Sequence, residues 1–334
     1  MILLLGASGY FGRAFAAELR RRGHSFIPLS REAFDYTRFD FLFDYLRTMR
    51  PEFVINAAGY TGKAEQDGLG EGREKAMLAN ALLPQMIARV CLMTKTPWGH
   101  VSSGSIYTGA KIVEGAGTRE EPNLATLEME QQFESHPELF LGFKETDEPN
   151  FSFRNPSCSF YAGTKALAEE AIRDIGHSYI WRPRHPFSEN QDPCNYLLML
   201  ERQAKLSHGV NSLSHLNDCV RACLDLWEIH APYGIYNVTN PGAVSTRELV
   251  ELMQRTVCPQ RRFEFLTERE LQDLATDGKV QPDCILDVSK LLAAGVKLRP
   301  SSEALDETMS RARVNPSASR MFDKPRRLPP AASA

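Results

Sequence analysis

Met1-Ile-Leu-Leu-Leu-Gly6-Ala-Ser8-Gly9-Tyr10-Phe11-Gly12-Arg13-Ala-Phe-Ala-Ala-Glu-Leu-Arg20 decides the fold of this chain. The apolar run to Leu5 has the length and continuity of a strand buried on both faces of a parallel sheet. Gly-x-x-Gly-x-x-Gly follows, and then a helix pattern. Strand, glycine turn and helix in that order form a dinucleotide-binding layout. The glycines permit the tight turn and a close backbone approach to a pyrophosphate, which rests on the helix N-terminus. Gly6, Ser8, Gly9, Tyr10, Phe11 and Gly12 are therefore the first candidate cofactor contacts. The layout implies an α/β fold, a Rossmann-type doubly wound parallel sheet, and the irregularly alternating C-terminal segments suit a smaller C-terminal α/β substrate lobe.

Outward from that unit, a second strand is expected at about residues 24–29, ending in Ser30-Arg31. An acidic residue there suits the ribose hydroxyl of NAD, and an arginine suits the 2′-phosphate of NADP. Ser30 and Arg31, with Arg13 beyond the third glycine, favour NADP(H) and leave NAD(H) open. Asp35 and Tyr36 fall where a side chain borders an adenine. Glu52 to Gly59 reads as another buried strand, and its small exit residues Ala57, Ala58 and Gly59 let a cofactor lie against backbone. Thr61 and Gly62 form a loop over the same edge and are candidate substrate contacts. Lys75 to Thr94 is a long amphipathic helix carrying Asn80, placed to bond backbone near the site. Gly99 to Ser102 is the next strand, and Ser103 at its exit is the candidate to hydrogen-bond a substrate carbonyl oxygen. Residues 108–142 read as polar and loop-like, with one helical piece around 124–134, the profile of an active-site flap.

The chemistry is carried by Ser159-Phe160-Tyr161-Ala162-Gly163-Thr164-Lys165. Good helix formers follow, so Tyr161 and Lys165, four apart, share one helix face. A free phenol titrates near 10 and is a poor acid at neutral pH. An adjacent ammonium favours phenolate and eases release of the proton. Such a tyrosine can protonate a carbonyl oxygen as hydride reaches its carbon. Beyond it, residues 177–182 read as a strand with a rigid basic exit at Pro183-Arg184-His185-Pro186. Arg184 and His185 are placed to meet a diphosphate or sugar, and Asn195 opens a further helix. Asn217-Asp218 reads as the cap of a helix over 219–230, and Ser245 and Thr267 open capping boxes. The expected division is a cofactor-binding domain at 1–185, a smaller lobe at 186–313 from which strands and helices return to the main domain, and a Pro/Arg-rich tail at 314–334.

Composition narrows the function class. The 334 residues carry a net charge of -3, which speaks against nucleic acid or a charged membrane surface as partner. Seven cysteines without paired spacing point to reduced thiols in the cytoplasm and to no zinc site. The short N-terminal apolar run has neither the length nor the basic flank of a signal peptide or membrane span.

Gly-x-x-Gly-x-x-Gly at 6, Asn-Ala-Ala-Gly at 56, Ser-Ser-Gly at 102 and Tyr-x-x-x-Lys at 161 stand in the order seen in extended short-chain dehydrogenases/reductases, and the chain resembles that family. More narrowly, the segments 55–62, 142–151, 159–166, 234–242 and 286–290 resemble the nucleotide-rhamnose synthases (NDP-4-keto-6-deoxyglucose 3,5-epimerase/4-reductases). The outline is similar, less closely, to the dTDP-4-dehydrorhamnose reductases. The resemblance implies Ser103, Tyr161 and Lys165 as a reductase triad and hydride transfer to C4 of a nucleotide-linked 4-keto-6-deoxy sugar. It also implies a homodimer through the helices at 75–94 and 161–175. Two departures change the expectation. Ser105 stands where the bifunctional family has a cysteine, and Met199 where it has a lysine, the pair associated with epimerisation. Neither can serve as base or acid beside a ketone, so 3,5-epimerase activity is not expected. The second departure is longer segments at 108–142 and 152–159, which are expected to reshape the sugar pocket.

Two other functions use the same layout. An NDP-sugar 4-epimerase shares the triad and holds NAD tightly. A cofactor-binding regulatory subunit keeps the fold without turnover, against which the intact triad argues. Gly104-Ser105 speaks against a 4,6-dehydratase, which needs an Asp-Glu pair after Ser103.

Overall fold

The structure, a computed structural model, describes residues 1–61, 71–155, 158–276 and 282–314. Gly62 and the tail beyond residue 314 lie outside the described residues. Six parallel strands form the main sheet: β1 (Ile2–Leu5), β2 (Phe26–Leu29), β3 (Phe53–Asn56), β4 (Trp98–Val101), β5 (Ser178–Arg182) and β6 (Gly234–Asn237). Their spatial order is β2-β1-β3-β4-β5-β6. The order reverses between β1 and β3, where Leu5 pairs with both Leu29 and Asn56. Open α/β sheets bind ligands at such a switch point, outside the carboxyl ends of the strands. The expected doubly wound parallel sheet is present.

Alternate residues of each strand feed opposite faces. Ile2, Leu4, Phe53 and Trp181 pack with α1 (Tyr10–Arg21) through Phe15 and Leu19. Leu3, Leu5 and Val54 pack with α2 (Phe39–Met49), α3 (Glu71–Thr94) and α4 (Phe160–Ile172) through Leu42, Leu46, Ile87, Val90 and Ile172. Two covered faces explain why the strands read as unbroken apolar runs. Gly99 of β4 has no side chain because the Trp181 ring occupies the space a Cβ would need. α3 is long and apolar enough to cross a membrane by length and composition, but half of it is buried in this core. It is continuous through a π turn at Leu78–Leu82 that carries Asn80.

The main sheet takes its sixth strand, and helix α5 (Leu216–Glu228) on the α1 face, from beyond residue 186. His215 caps α5, accepting from the Asp218 N–H at 3.4 Å, in place of the expected Asn217-Asp218 cap. Ser245 and Thr267 cap helices as expected, accepting from the N–H groups of Glu248 and Glu270.

Residues 108–142 differ from the loop expected. Ala110–Glu114 and Gly117–Glu121 form an antiparallel hairpin, joined by Phe140–Leu141 and covered by the helix Leu127–Ser135. Gly115, with φ +58°, makes the turn. Ala110 and Ile112 face a small core with Phe133, Phe140, Val210 and Ile285, so this segment belongs to the second lobe. Lys111 and Glu120 pair on the outer face, and Arg119 stands opposite Ile112, so the second strand shows no apolar alternation. The rest of that lobe packs around Phe187, Leu197, Val250, Met253 and Leu305.

Candidate active site

The glycine turn is built for close approach. A Cβ at Gly6 would lie 2.5 Å from the Ala58 nitrogen, so β1 and β3 meet there without side chains. A Cβ at Gly12 would collide with the Gly6 carbonyl, so α1 also packs directly on the turn. The N-cap of α1 is Gly9, no side chain caps it, and its first turn carries no acidic residue. Its leading N–H groups and dipole are thus left for an anion, the requirement of a dinucleotide pyrophosphate. The residues fit that cofactor. Residues 188–194 of the second lobe lie against this turn. Tyr10 and Ser188 share a hydrogen bond of 2.8 Å between their hydroxyls, and Arg13 is ion-paired to Asp192. Thr61 Oγ1 and Cys194 Sγ lie 3.6 Å apart. Arg13 also donates to the Ser8 carbonyl, so its guanidinium is engaged.

At the end of β2, Ser30 Oγ accepts from the Ala33 N–H at 3.4 Å and Arg31 is exposed. Asp35 is exposed and turns the chain by accepting from Thr37 N–H at 3.2 Å. Tyr36 is 2% exposed, with its phenol at the Gly6 N–H, beneath the turn rather than on an open adenine surface. Burial pushes that phenol up from its ordinary value.

Three chain segments converge at the carboxyl ends of β3 and β4. Ser159 caps α4 by accepting from the Ala162 N–H at 3.1 Å, which sets Tyr161 in the first turn and Lys165 in the second. Lys165 is 3% exposed, and its Nζ donates to the Val101 carbonyl at the end of β4 at 3.0 Å. Burial lowers its pKa to about 8, with Glu169 opposing the shift. Ser103, two residues past Val101, is buried and accepts from the Ser105 N–H at 3.1 Å, which leaves its own proton to donate. Asn80 is wholly buried and grips Tyr60 from both sides, accepting from its N–H at 2.8 Å and donating to its carbonyl at 2.9 Å. The π turn aims Asn80 inward, a common device at functional sites. Gly59 faces the same group, since a Cβ there would lie 3.5 Å from Lys165 Nζ. A hydroxyl donor and an ammonium therefore stand beside a dinucleotide cradle, with Tyr161 one helical turn before the ammonium, and these are the groups that proton delivery to a carbonyl requires.

Three expected substrate contacts have other places. Arg184 is 2% exposed and fully engaged. It donates to Ser105 Oγ at 3.1 Å, to Asn211 Oδ1 at 2.9 and 3.3 Å, and to the Pro282 carbonyl. Because a guanidinium only donates, Ser105 must accept from it and keeps its own O–H for a ligand. Asn195 is wholly buried, donating to the Ser188 and Asn190 carbonyls at 2.7 and 2.8 Å. It shapes the loop over the glycine turn instead of facing an open pocket. His185, at φ +40°, stacks on Tyr196 with ring centroids 4.0 Å apart. Burial and the neighbouring Arg184 hold its imidazole well below the ordinary value. Among the described residues no three His, Cys, Asp or Glu side chains cluster to hold a metal.

The sequence reading missed Ser102, Glu169 and Arg182, which join behind Lys165. One signal was present. Glu169 is four residues past Lys165, so Tyr161, Lys165 and Glu169 form a single ladder on α4.

Residues 1–127 match the family described as the RmlD substrate binding domain. A trifunctional UDP-glucose 4,6-dehydratase/UDP-4-keto-6-deoxy-D-glucose 3,5-epimerase/UDP-4-keto-L-rhamnose-reductase of Arabidopsis thaliana is 28% identical over 220 residues, 65% of this chain and 29% of that protein. The chain spans about a third of the length of three such trifunctional relatives. The crystal structure of a UDP-rhamnose synthase from Acanthamoeba polyphaga mimivirus superposes with TM-score 0.71 at 20% identity, over 93% of this chain and 98% of that one. A dTDP-4-dehydrorhamnose reductase from Bacillus anthracis, solved with NADP, superposes with TM-score 0.66 at 18% identity, over 92% and 97% of the two chains. At these identities the two structures establish the fold. The resemblance read from the motifs is borne out.

Proposed function

We propose that this protein is an NAD(P)H-dependent reductase of a nucleotide-linked 4-keto-6-deoxy sugar. The observation that carries the reading is Lys165 pinned to the end of β4, with Tyr161 one turn before it and Ser103 two residues past its anchor. The glycine turn and the first turn of α1 would hold the pyrophosphate. When bound, the reduced nicotinamide supplies the hydride. Tyr161 gives its phenolic proton to the carbonyl oxygen being reduced, which becomes the product hydroxyl. Ser103 donates its O–H to the same oxygen and fixes the face presented. Lys165, charged below its pKa of about 8, stabilises the phenolate left behind. Solvent then reprotonates Tyr161.

Ser105 and Met199 support a plain 4-reductase. Ser105, held as a donor by Arg184, offers a hydrogen bond to the sugar and no base for removing a proton beside the ketone. Exposed Arg31 beside Ser30 supports a preference for NADP(H). Leu78, Leu82, Leu92 and Met93 on α3, with Leu167 on α4, are exposed apolar side chains on adjacent helices and support a homodimer. Seven free cysteines support a reducing compartment such as the cytoplasm.

The test is NADPH oxidation with UDP- and dTDP-4-keto-6-deoxyglucose, with the product configuration read by NMR. A 6-deoxy-D-gluco or D-galacto product is expected, and an L-rhamnose product would overturn the absence of epimerisation. Tyr161→Phe is expected to lower turnover by roughly 10²–10⁴-fold while sparing NADPH affinity. Undiminished turnover would remove Tyr161 from the mechanism.

A further inference from the structure

The proton-delivery scheme leaves unused a buried ion pair directly behind Lys165. The side chains of Glu169 and Arg182 are 4% and 2% exposed. Arg182 Nη2 and Nε donate to Glu169 Oε2 at 2.6 and 2.9 Å, and Nε to Oε1 at 3.1 Å. Its Nη1 donates to the Tyr107 hydroxyl at 3.0 Å, which in turn donates to the Asp147 carbonyl at 2.7 Å. The fourth partner is Ser102, whose hydroxyl donates to Glu169 Oε1. Packed apolar side chains often serve stability as well as such a pair does. Its placement points to a second use. Ser102 stands between Val101, whose carbonyl holds the Lys165 ammonium, and Ser103, whose hydroxyl keeps its proton to donate. One carboxylate thus holds the side chain of the residue between both groups and sits one helical turn from the ammonium itself.

We propose that Glu169 is a positioning residue: through Ser102 it holds the exit of β4 in the register that presents Val101 and Ser103, and its charge keeps Lys165 an ammonium. The inference rests on the reductase reading and names how that site is regulated by pH. Among the described residues, the charged and titratable groups around Lys165 are few. Its own helix supplies Tyr161 and Glu169. β4 supplies His100, fully buried, whose imidazole burial and the Lys165 charge hold well below its ordinary value. β5 supplies Arg182, and the segment before α4 supplies Tyr107 and Glu145, both behind Arg182. α3 offers only neutral Asn80. Of these, Glu169 is the anion that acts on Lys165, and it acts against the burial that brings the ammonium down to about 8. A cleft of about 420 Å³, lined by Glu145, Phe153, Leu167 and Glu170, reaches Glu169 and Arg182 from the side of α4 that Gly163 and Ala166 line. The cleft stops at the pair, whose side chains stay buried, so Glu169 keeps its charge close to Lys165 without opening to solvent.

The experiment uses the full chain, as wild type, Glu169→Gln and Ser102→Ala. It reads kcat and KM for the 4-keto sugar, and NADPH affinity, across pH 6–10 (about the span that brackets the lysine). Glu169→Gln is expected to move the alkaline break of kcat down by about one pH unit and to lower kcat at pH 7 about tenfold, with KM within about twofold. Ser102→Ala keeps every charge, so it should leave the break in place and lower kcat alone. A Glu169→Gln variant with the wild-type break overturns the charge role, and a Ser102→Ala variant with wild-type kcat overturns the positioning role. Should Glu169→Gln not fold, Glu169→Asp replaces it. The carboxylate then keeps its charge and loses its reach, so lowered kcat with an unmoved break is expected, and wild-type kcat overturns the proposal. If the wild type oxidises no NADPH with either sugar, the reductase reading fails. The pH break in NADPH affinity then still decides on Glu169, since Lys165 borders the cofactor cradle through Gly59.

Discussion

Arg182 and Arg184 leave the same strand end two residues apart, are equally buried, and meet opposite surroundings. Arg182 has a full carboxylate partner in bidentate contact, plus a tyrosine hydroxyl. Arg184 has neutral oxygens only, from Ser105, Asn211 and Pro282. Beyond them lies Asp283, reached through the Asn211 amide, and among the described residues one oxygen of that carboxylate is buried without a hydrogen-bond partner. Burial pushes Asp283 up to about 6, with Asn211 and Arg184 working against the shift. The surroundings of Arg182 are therefore charge-compensated by Glu169. The lobe side is a hydrogen-bonded frame whose charge changes as Asp283 titrates. An arginine compensated by a carboxylate keeps its surroundings at constant charge, whereas one held by neutral oxygens leaves the charge of its surroundings to Asp283.

The largest way to break this contrast is Arg182→Met, which leaves Glu169 a buried carboxylate without its cation. It is expected to cost about 3–5 kcal/mol in urea unfolding. A cost under about 1 kcal/mol would mean the pair is solvated and the two arginines are alike.

Asp283→Asn sharpens the contrast from the other side. The native pKa of about 6 lies above the unfolded value of about 3.9. Between those values the native state binds more protons, so stability falls as pH rises from about 4 to 6 and stays lower above. The amide carries no charge and can still accept from Asn211. The variant is expected to be more stable than wild type at pH 7.5 by roughly 2–3 kcal/mol and to lack that fall, both read by urea unfolding across pH. Equal stability at pH 7.5 would mean that Arg184 already compensates Asp283.

Ser105→Ala is the smallest change. It should cost about 1 kcal/mol or less, because solvent can replace a half-buried hydroxyl on Arg184. Its effect should appear in KM for the sugar, with kcat and NADPH affinity close to wild type. A fall in kcat alone would place Ser105 among the groups that touch the reacting carbonyl.

Local chemistry was legible in the order of the residues alone. The close approach at Gly6 and Gly12 follows from the turn itself, and Tyr161 and Lys165 share a face because helix geometry repeats every turn. The hairpin at 110–121 was hidden because its second strand sets Arg119 and Glu121 opposite Ile112 and Ala110, so it carries no apolar alternation of its own. The partners of Arg184 were unreadable for a different reason. Arg184 meets Ser105, Asn211 and Pro282, and these lie 79, 27 and 98 residues away in the chain.

By itself the sequence determined the strand, glycine turn and helix that cradle a dinucleotide, and the spacing that puts a phenol and an ammonium on one helix. Those features arise from steric limits and helical repeat within about a dozen residues. Only the tertiary structure decided which buried arginine meets a carboxylate, that β6 returns to the edge of the sheet, and that Glu169 reaches Ser102 behind Lys165. Such pairings depend on strand order and helix docking, which bring together groups that no local periodicity relates.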